Sequence, residues 1–283
     1  MPKIALVTDS TASIPKDLVD KYNIIVAPQI LIWGDETFED GVNITPSEFY
    51  TRIKKATVMP STTQVTVAKF HEIYQPLLAQ DYQILTIILS AKLSGTLNSA
   101  LQAREMLPPG APIEIIDSNS TAMALGFHLI TVARAIKQGA SFPECVALAQ
   151  KARDHTGIFF AVDTLEFLHR GGRIGGATRF LGTMLNFKPI LELRDGRVEP
   201  IERVRTRSKS LSRIVELTVD KVGSRTPVRL SALHANAPED ARLVLQEASA
   251  KLNPIETVFS EVSPVVGVHA GPGVVGIVYM AGM

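Results

Sequence analysis

The stretch 82–90 constrains the fold more than any other part of this chain. It carries Ile84, Leu85, Ile87, Ile88 and Leu89 almost without a polar break. A sheet with one face in water alternates apolar and polar side chains. A nearly continuous apolar strand therefore belongs to a parallel sheet covered on both faces. Parallel neighbours need long crossovers, usually helices, and helical patterns lie on both sides of the run. One spans about 15–22. A second starts at the capping box Thr45-Pro46-Ser47-Glu48, with proline at the first helical position. A third holds Val67, Phe70, His71 and Tyr74 near helical spacing, after the polar turn Pro60-Ser61-Thr62-Thr63-Gln64. A fourth follows Lys92-Leu93-Ser94-Gly95-Thr96 to about residue 107. A long helix over about 121–137 and another from the capping box Ser141-Phe142-Pro143-Glu144 complete the set. Further apolar runs at 4–7 and 113–116 read as strands, and 24–33 as a strand broken or placed at an edge by Pro28. The expected fold class is α/β, with a doubly wound, mainly parallel sheet in an N-terminal lobe.

From about residue 157 the pattern changes. A strand is expected over 158–162. Strands 189–194 and 197–205 flank Asp195-Gly196, the dipeptide of a type I′ hairpin. Helices over about 208–222 and 238–252 alternate with strands 228–233 and 256–262. The runs 265–269 and 274–280 read as closing strands. This mixture predicts a C-terminal α+β lobe, so the domains are expected at 1–156 and 157–283.

Composition excludes several functions. The chain has 283 residues and a formal net charge of +1, which provides no general field for nucleic acid or membrane. Its single cysteine, Cys145, forms no intrachain disulfide, as suits a reducing compartment. The opening Met-Pro-Lys-Ile-Ala-Leu-Val-Thr-Asp is not a signal peptide pattern, because its apolar run stops at Thr8. No run of about 18 apolar residues is present. The expected location is cytoplasmic. Gly271-Pro272-Gly273-Val274-Val275-Gly276 matches a dinucleotide fingerprint, yet a β-rich run follows it in place of a helix. There is no P-loop and no G-x-S-x-G elbow. The six histidines and one cysteine show no paired ligand spacing, so no metal and no cofactor are expected.

Five features remain. Ser94-Gly95-Thr96 follows the end of a buried strand, and Thr62-Thr63-Gln64 precedes a helix. Ligands of open α/β sheets lie outside the carboxyl ends of the strands, and first-turn amides attract anions. The plainer reading makes these hydroxyls ordinary N-caps. His269 stands at the end of an apolar run entering a glycine turn, either as a core residue or as a donor to an acid head group. The stretch 163–177 reads as a short helix stopped by left-handed Gly171 and Gly172 and restarted after Gly175-Gly176. Ala177, Phe180, Leu181, Met184 and Leu185 would form the buried face of the second helix, which Asn186 and Pro189 close. Arg170 and Arg173 between the helices read either as an anion rim or as a solvated corner. The cluster Arg203, Arg205, Arg207, Lys209 and Arg213 reads as a solvated face or as a dock for an acidic partner.

The order of these pieces resembles the DegV family of bacterial fatty-acid-binding proteins, the lipid-carrier subunits of fatty acid kinase. The similarity runs along the whole chain. Val7-Thr8-Asp9-Ser10-Thr11-Ala12 resembles the family's opening, and Pro60-Ser61-Thr62-Thr63-Gln64 and Leu93-Ser94-Gly95-Thr96 its two polar turns. The stretch 163–175 and Leu185-Asn186-Phe187-Lys188-Pro189-Ile190-Leu191 match its most specific part. Val204-Arg205-Thr206 and Gly271-Pro272-Gly273 follow in order. Two departures are Thr63 in place of a serine and Val65 in place of a frequent proline. The resemblance implies two lobes with a tunnel between or beside them, holding one long-chain fatty acid. It implies that Thr62 and Ser94 hold the carboxylate, with Thr63 and His269 close by. Gly95 and Thr96, in the same turn as Ser94, are expected to belong to the fatty-acid site with them. It further implies that the protein is not itself an enzyme. A separate ATP-dependent fatty acid kinase would convert the bound carboxylate to an acyl phosphate. The head-group end must then face a protein-binding surface, and the planar guanidinium forks of Arg170, Arg173 and Arg205 are expected to form its partner-docking rim. Transient contact with a membrane surface is compatible with lipid exchange. The alternatives are a binding module for a small phosphorylated metabolite and a hydrolase using Ser94 with His269.

Overall fold

The computed structural model describes residues 3–180 and 187–283. The run 82–90 forms strand β6 (Tyr82–Ile88) inside a four-stranded parallel sheet. Its neighbours are β1 (Lys3–Asp9), β2 (Ile25–Ala27) and β7 (Ile113–Asp117), in the order β2-β1-β6-β7. The period-two alternation of a strand explains why the whole run is apolar. Leu85, Ile87 and Leu89 pack with Leu125, Leu129 and Cys145 on one face. These come from α5 (Ala122–Lys137) and α6 (Phe142–His155), with α1 (Lys16–Tyr22) alongside. Ile84 and Ile88 pack on the other face with Phe70, Tyr74, Ala100 and Ala103. Those belong to α3 (Val67–Leu78) and α4 (Thr96–Glu105).

Pro28 breaks the stretch 24–33 into β2 and β3 (Ile30–Trp33). The second piece leaves the parallel sheet and builds an antiparallel one with β4 (Glu36–Glu39) and β5 (Ser61–Thr63). Ser61, Thr62 and Thr63 of the expected polar turn are therefore a strand, with Gln64 just beyond its end. Thr62 is paired with Leu31, and the helix after it is capped by the Thr66 side chain. The capping box at Thr45 opens α2 (Pro46–Ile53) as expected, with Thr45 and Glu48 bonded reciprocally.

The second sheet has six strands in the order β10-β9-β8-β13-β11-β12. They are β8 (Thr156–Ala161), β9 (Lys188–Arg194), β10 (Arg197–Val204), β11 (Val228–His234), β12 (Glu256–Glu261) and β13 (Val275–Ala281). Only β11 and β12 pair in parallel, which makes this the mixed α+β half. Asp195 and Gly196 both take positive φ, 50° and 76°, as a type I′ turn requires. Between the strands lie α7 (Glu166–Arg170), α8 (Arg207–Val222), α9 (Pro238–Leu252) and α10 (Pro264–Ala270).

Two expectations need correction here. Residues 265–269 are helical, within α10. Ser263 caps it, its hydroxyl accepting the Val266 N–H, and Pro264 occupies the first turn. The valines suggest a strand, but a helix needs no strong propensity when one side is buried against neighbours. Gly267 lets that side touch α2: a Cβ there would stand 2.5 Å from the Tyr50 hydroxyl. The second correction concerns 171–177. Gly171 has φ near −77°, while Gly172 and Gly175 enter the left-handed region, at 69° and 53°. The chain then makes a 3-10 helix, Gly175–Phe180. Leu181, Met184, Leu185 and Asn186, expected on a longer helix, lie outside the described residues.

One core joins the halves. It holds Phe49, Tyr50, Met123 and Phe127 from the first and Ile158, Phe160, Leu191 and Val274 from the second. Tyr50 is 1% exposed, and its hydroxyl donates to the Val262 carbonyl at 3.1 Å, across 212 residues of chain. Tyr50→Phe keeps the ring and removes the only proton on that contact. It is expected to lower unfolding stability by about 1–2 kcal/mol with the fold retained. Denaturant unfolding checks it, and an unchanged midpoint would show the bond contributes nothing.

Candidate functional site

The elements around that shared core converge on a cavity of about 370 Å³. Ile158, Phe160, Leu193, Leu233, Val262 and Val274 are among its walls, and they are aliphatic or aromatic throughout. One end is polar. Thr62 and Thr63 arrive on β5, Ser94 and Gly95 from the loop between β6 and α4, and His269 from the last turn of α10. Arg173 reaches it from the segment after α7. A volume of this size with a few convergent polar groups is typical of a small-molecule site.

The Thr62 hydroxyl and His269 Nε2 are 2.7 Å apart, 207 residues apart in sequence. Burial, aided by the positive charge of Arg173, pushes the His269 pKa down to about 4. The ring is thus neutral at physiological pH and carries one proton. Nδ1 is buried without a partner. An orphaned N–H is rarer and costlier than an unused acceptor, so the proton belongs on Nε2, donating to Thr62. The Thr62 hydroxyl then has its own proton free for a ligand. Gly171 explains the empty side of the ring. A Cβ at 171 would stand 2.1 Å from Nδ1. The glycine is there for close approach to the imidazole, not for a left-handed turn.

Ser94 Oγ lies 2.9 Å from Thr96 Oγ1 and accepts the Thr96 N–H at 3.3 Å. Thr96 is fully buried and stands behind Ser94, facing Gln29. Gly95 precedes α4, and a Cβ there would meet Gln64 Oε1 at 2.1 Å. Gln64 in turn donates to Ser99 at 2.9 Å. Thus Ser94 sits at a helix start beyond the carboxyl end of a buried strand, where free amides favour a negative charge. Thr62 does not share that setting, since it lies on a strand edge.

Arg173 closes the structure from within. Its Nε donates to the Leu93 carbonyl at 3.0 Å and its Nη1 to the Gly171 carbonyl at 2.7 Å. It therefore ties the second half to the loop that carries Ser94. Arg170 lies outside, exposed and paired with Glu166. Arg205 is exposed just beyond β10. The structure brings Thr62, Thr63, Ser94, Gly95, His269 and Arg173 to one cavity and leaves Arg170 and Arg205 on the surface.

Sequence reasoning misses Thr11, Gln29 and Thr121 and places Gln64 only in the turn with Thr62 and Thr63; all four also line the cavity. Asp9-Ser10-Thr11 is visible as a polar turn after a buried strand, the same signal that marks Ser94. Gln29 has no such signal, because it sits alone between Pro28 and an apolar strand. Among the described residues no group of three or more His, Cys, Asp or Glu side chains could hold a metal ion. No described helix is long and apolar enough to cross a membrane.

Residues 3–282 match the model of the DegV family. Protein DegV of Bacillus subtilis is 34% identical over 275 residues, 97% of this chain and 98% of that protein. Among solved structures, a fatty-acid-binding DegV family protein from Thermus thermophilus superposes with a TM-score of 0.93 at 31% identity, covering 99% of both chains. The fatty-acid-binding DegV of Bacillus subtilis gives 0.90 at 33% identity, covering 99% of this chain and 100% of the other.

The state of His269 gives a prediction with a definite sign. Its native pKa of about 4 lies below the ordinary 6.5. Between those values the unfolded chain takes a proton that the native state refuses. Stability is therefore lost as pH falls from 6.5 toward 4. Relative to His269→Gln, the wild-type melting temperature should fall across that window and run parallel above it. Gly171→Ala forces the ring aside and should lower stability by about 1–3 kcal/mol. NMR titration should show the imidazole pKa of that variant moving back toward 6.5. A wild-type imidazole titrating near 6.5 would refute the assignment.

Proposed function

The chain belongs to the DegV family, and from that premise we propose that it binds a long-chain fatty acid in the cavity between its halves. One observation carries the reading: a single cavity combines aliphatic walls with the polar side chains of Thr62, Ser94 and His269. Each methylene buried against such walls contributes about 0.8 kcal/mol. The carboxylate needs only a few donors to orient it, and charge-assisted bonds from hydroxyl groups suit it. The solved relatives from Thermus thermophilus and Bacillus subtilis bind fatty acid, which supports the same ligand class here.

The finer proposal is that the protein is a carrier. It holds the carboxylate for a separate ATP-dependent fatty acid kinase, which forms the acyl phosphate, and it works in the bacterial cytoplasm. Thr62 and Ser94 are proposed as the direct carboxylate donors, with Thr63, Gly95 and His269 around them and Thr96 behind. The lobes are proposed to divide at 156/157, one residue into β8, close to where α6 ends at His155. Exposed Arg205 and Arg170 are the proposed docking cations. Arg173 combines a rim position with its internal tie to Leu93. The hydrolase alternative finds no support in the geometry: His269 is engaged by Thr62, and the Ser94 hydroxyl is engaged by Thr96.

Mass spectrometry of organic extracts of the purified protein should find a co-purifying long-chain acid. A phosphorylated metabolite without lipid would favour the other binding reading. Ser94→Ala and Thr62→Val should each weaken fatty-acid affinity by about 1.5–3 kcal/mol while remaining folded. Wild-type affinity in both would remove them from the carboxylate site. Incubated with fatty acid, magnesium and ATP, the protein alone should form no acyl phosphate. With a kinase partner present, Arg205→Glu should slow transfer more than it weakens lipid binding, most clearly at low salt. Unchanged transfer at low salt would remove the docking role.

A further inference from the structure

We infer that Gln29 is a positioning residue for the carboxylate site: acting through Thr96, it makes the Ser94 hydroxyl a donor into the cavity, so that the site selects an acid over an alcohol of the same chain. The inference rests on the fatty-acid reading above.

The chain of hydrogen bonds starts at Asp9, whose carboxyl group is wholly buried. It accepts the Thr11 N–H at 3.0 Å, the Thr11 hydroxyl at 2.6 Å and the Leu89 N–H at 2.9 Å. A group surrounded by donors is an acceptor, so it decides how the neighbouring amide is turned. Gln29 points its nitrogen, not its oxygen, at Asp9 Oδ1, at 3.4 Å. That nitrogen has a second proton, and it donates to Thr96 Oγ1 at 2.9 Å. The backbone holds Gln29 in place on both sides. Its N–H donates to Ser10 Oγ at 3.1 Å, and its carbonyl accepts the Asp40 N–H at 2.9 Å.

The polarity then passes outward. Thr96 is fully buried, so once Gln29 donates to its oxygen its own proton still needs an acceptor, and Ser94 Oγ stands 2.9 Å away; accepting from Ser94 as well would leave that proton buried without a partner. Ser94 Oγ also accepts the Thr96 N–H at 3.3 Å. A serine oxygen has two lone pairs, and both are now occupied. Only its proton remains, on a side chain that lines the cavity. A carboxylate, which can only accept, matches that proton. An alcohol gains less, because it has no charge to strengthen the bond and its own donor finds no acceptor on Ser94. Without Gln29, Thr96 could accept from Ser94, and Ser94 could serve either role. Gln29 is only 2% exposed and makes this link across 67 residues of chain.

The test is the ratio of affinities for a fatty acid and the fatty alcohol of equal length, measured by calorimetry. Gln29→Met keeps length and removes the donor. It should weaken the acid about tenfold and leave the alcohol nearly unchanged, so the ratio falls by the same factor. Thr96→Val should lower the ratio likewise, and Thr96→Ser, which keeps the hydroxyl, should preserve it. These two decide the matter if Gln29→Met does not fold. A merely structural role predicts that both ligands weaken together. Equal losses for acid and alcohol, or no loss for either, would overturn the inference. Wild-type protein that binds neither lipid would overturn the fatty-acid reading first, and this inference with it.

Discussion

The side chains of β8 alternate between two cores, and the cavity depends on that alternation. Phe159 and Ala161 face the core beneath α8 and α9. Ile158 and Phe160 face the first half, where they meet Phe49, Tyr50 and Phe127. A strand with both faces buried is thereby shared between a local core and an interface. The interface does not fill: Ile158 and Phe160 line open space with Leu193, Leu233 and Val274. Empty cavities weaken a core, because their lining atoms lack contacts on one side. An apolar ligand of suitable shape would restore those contacts, which links stability to occupancy.

Desolvation shapes the polar end. Asp9 and Asp40 are both buried close to it. Burial raises both carboxyl pKa values, Asp40 to about 7, partly through the nearby charge of Asp9. The donors gathered around each carboxyl group work in the opposite direction. Ser10 donates to Asp40 at 2.7 Å, and the Thr11 and Leu89 donors serve Asp9. His269 meets the same environment and stays neutral. A site lined by unpaired buried charge would oppose a bound carboxylate. A site of hydroxyl donors held by buried acceptors favours it, with the cation of Arg173 on the same cavity as His269. The tie from Arg173 to Leu93 also couples the halves at the point where the ligand's head would lie.

Much of this was legible in the residues because strong periodicity and capping chemistry are local signals. The apolar run through β6, the capping boxes at Thr45 and Ser141, and Asp195-Gly196 each specify their element without help from distant chain. Ser94 was legible for the same reason, since it follows a buried strand and starts a helix. The failures are the places where tertiary contacts decide. Val265, Val266 and Val268 are β-branched and apolar, yet they lie in a helix because Ser263-Pro264 opens one and Gly267 fits against Tyr50. Gly171 reads as a turn residue, while its absent side chain is needed by an imidazole nearly a hundred residues away. Gln29 has no local signal at all. Its significance depends on Asp9 and Thr96, which only the folded chain brings together.

The central claim is that one lipid lies in this cavity with its carboxylate at the Thr62, Ser94 and His269 end. A crystal structure of the protein loaded with a single long-chain fatty acid tests it most directly. The expected result has the carboxylate oxygens within hydrogen-bond distance of Ser94 Oγ and Thr62 Oγ1, with the tail running toward Ile158 and Leu193. A reversed acid, or one bound elsewhere while this cavity stays empty, would contradict the account.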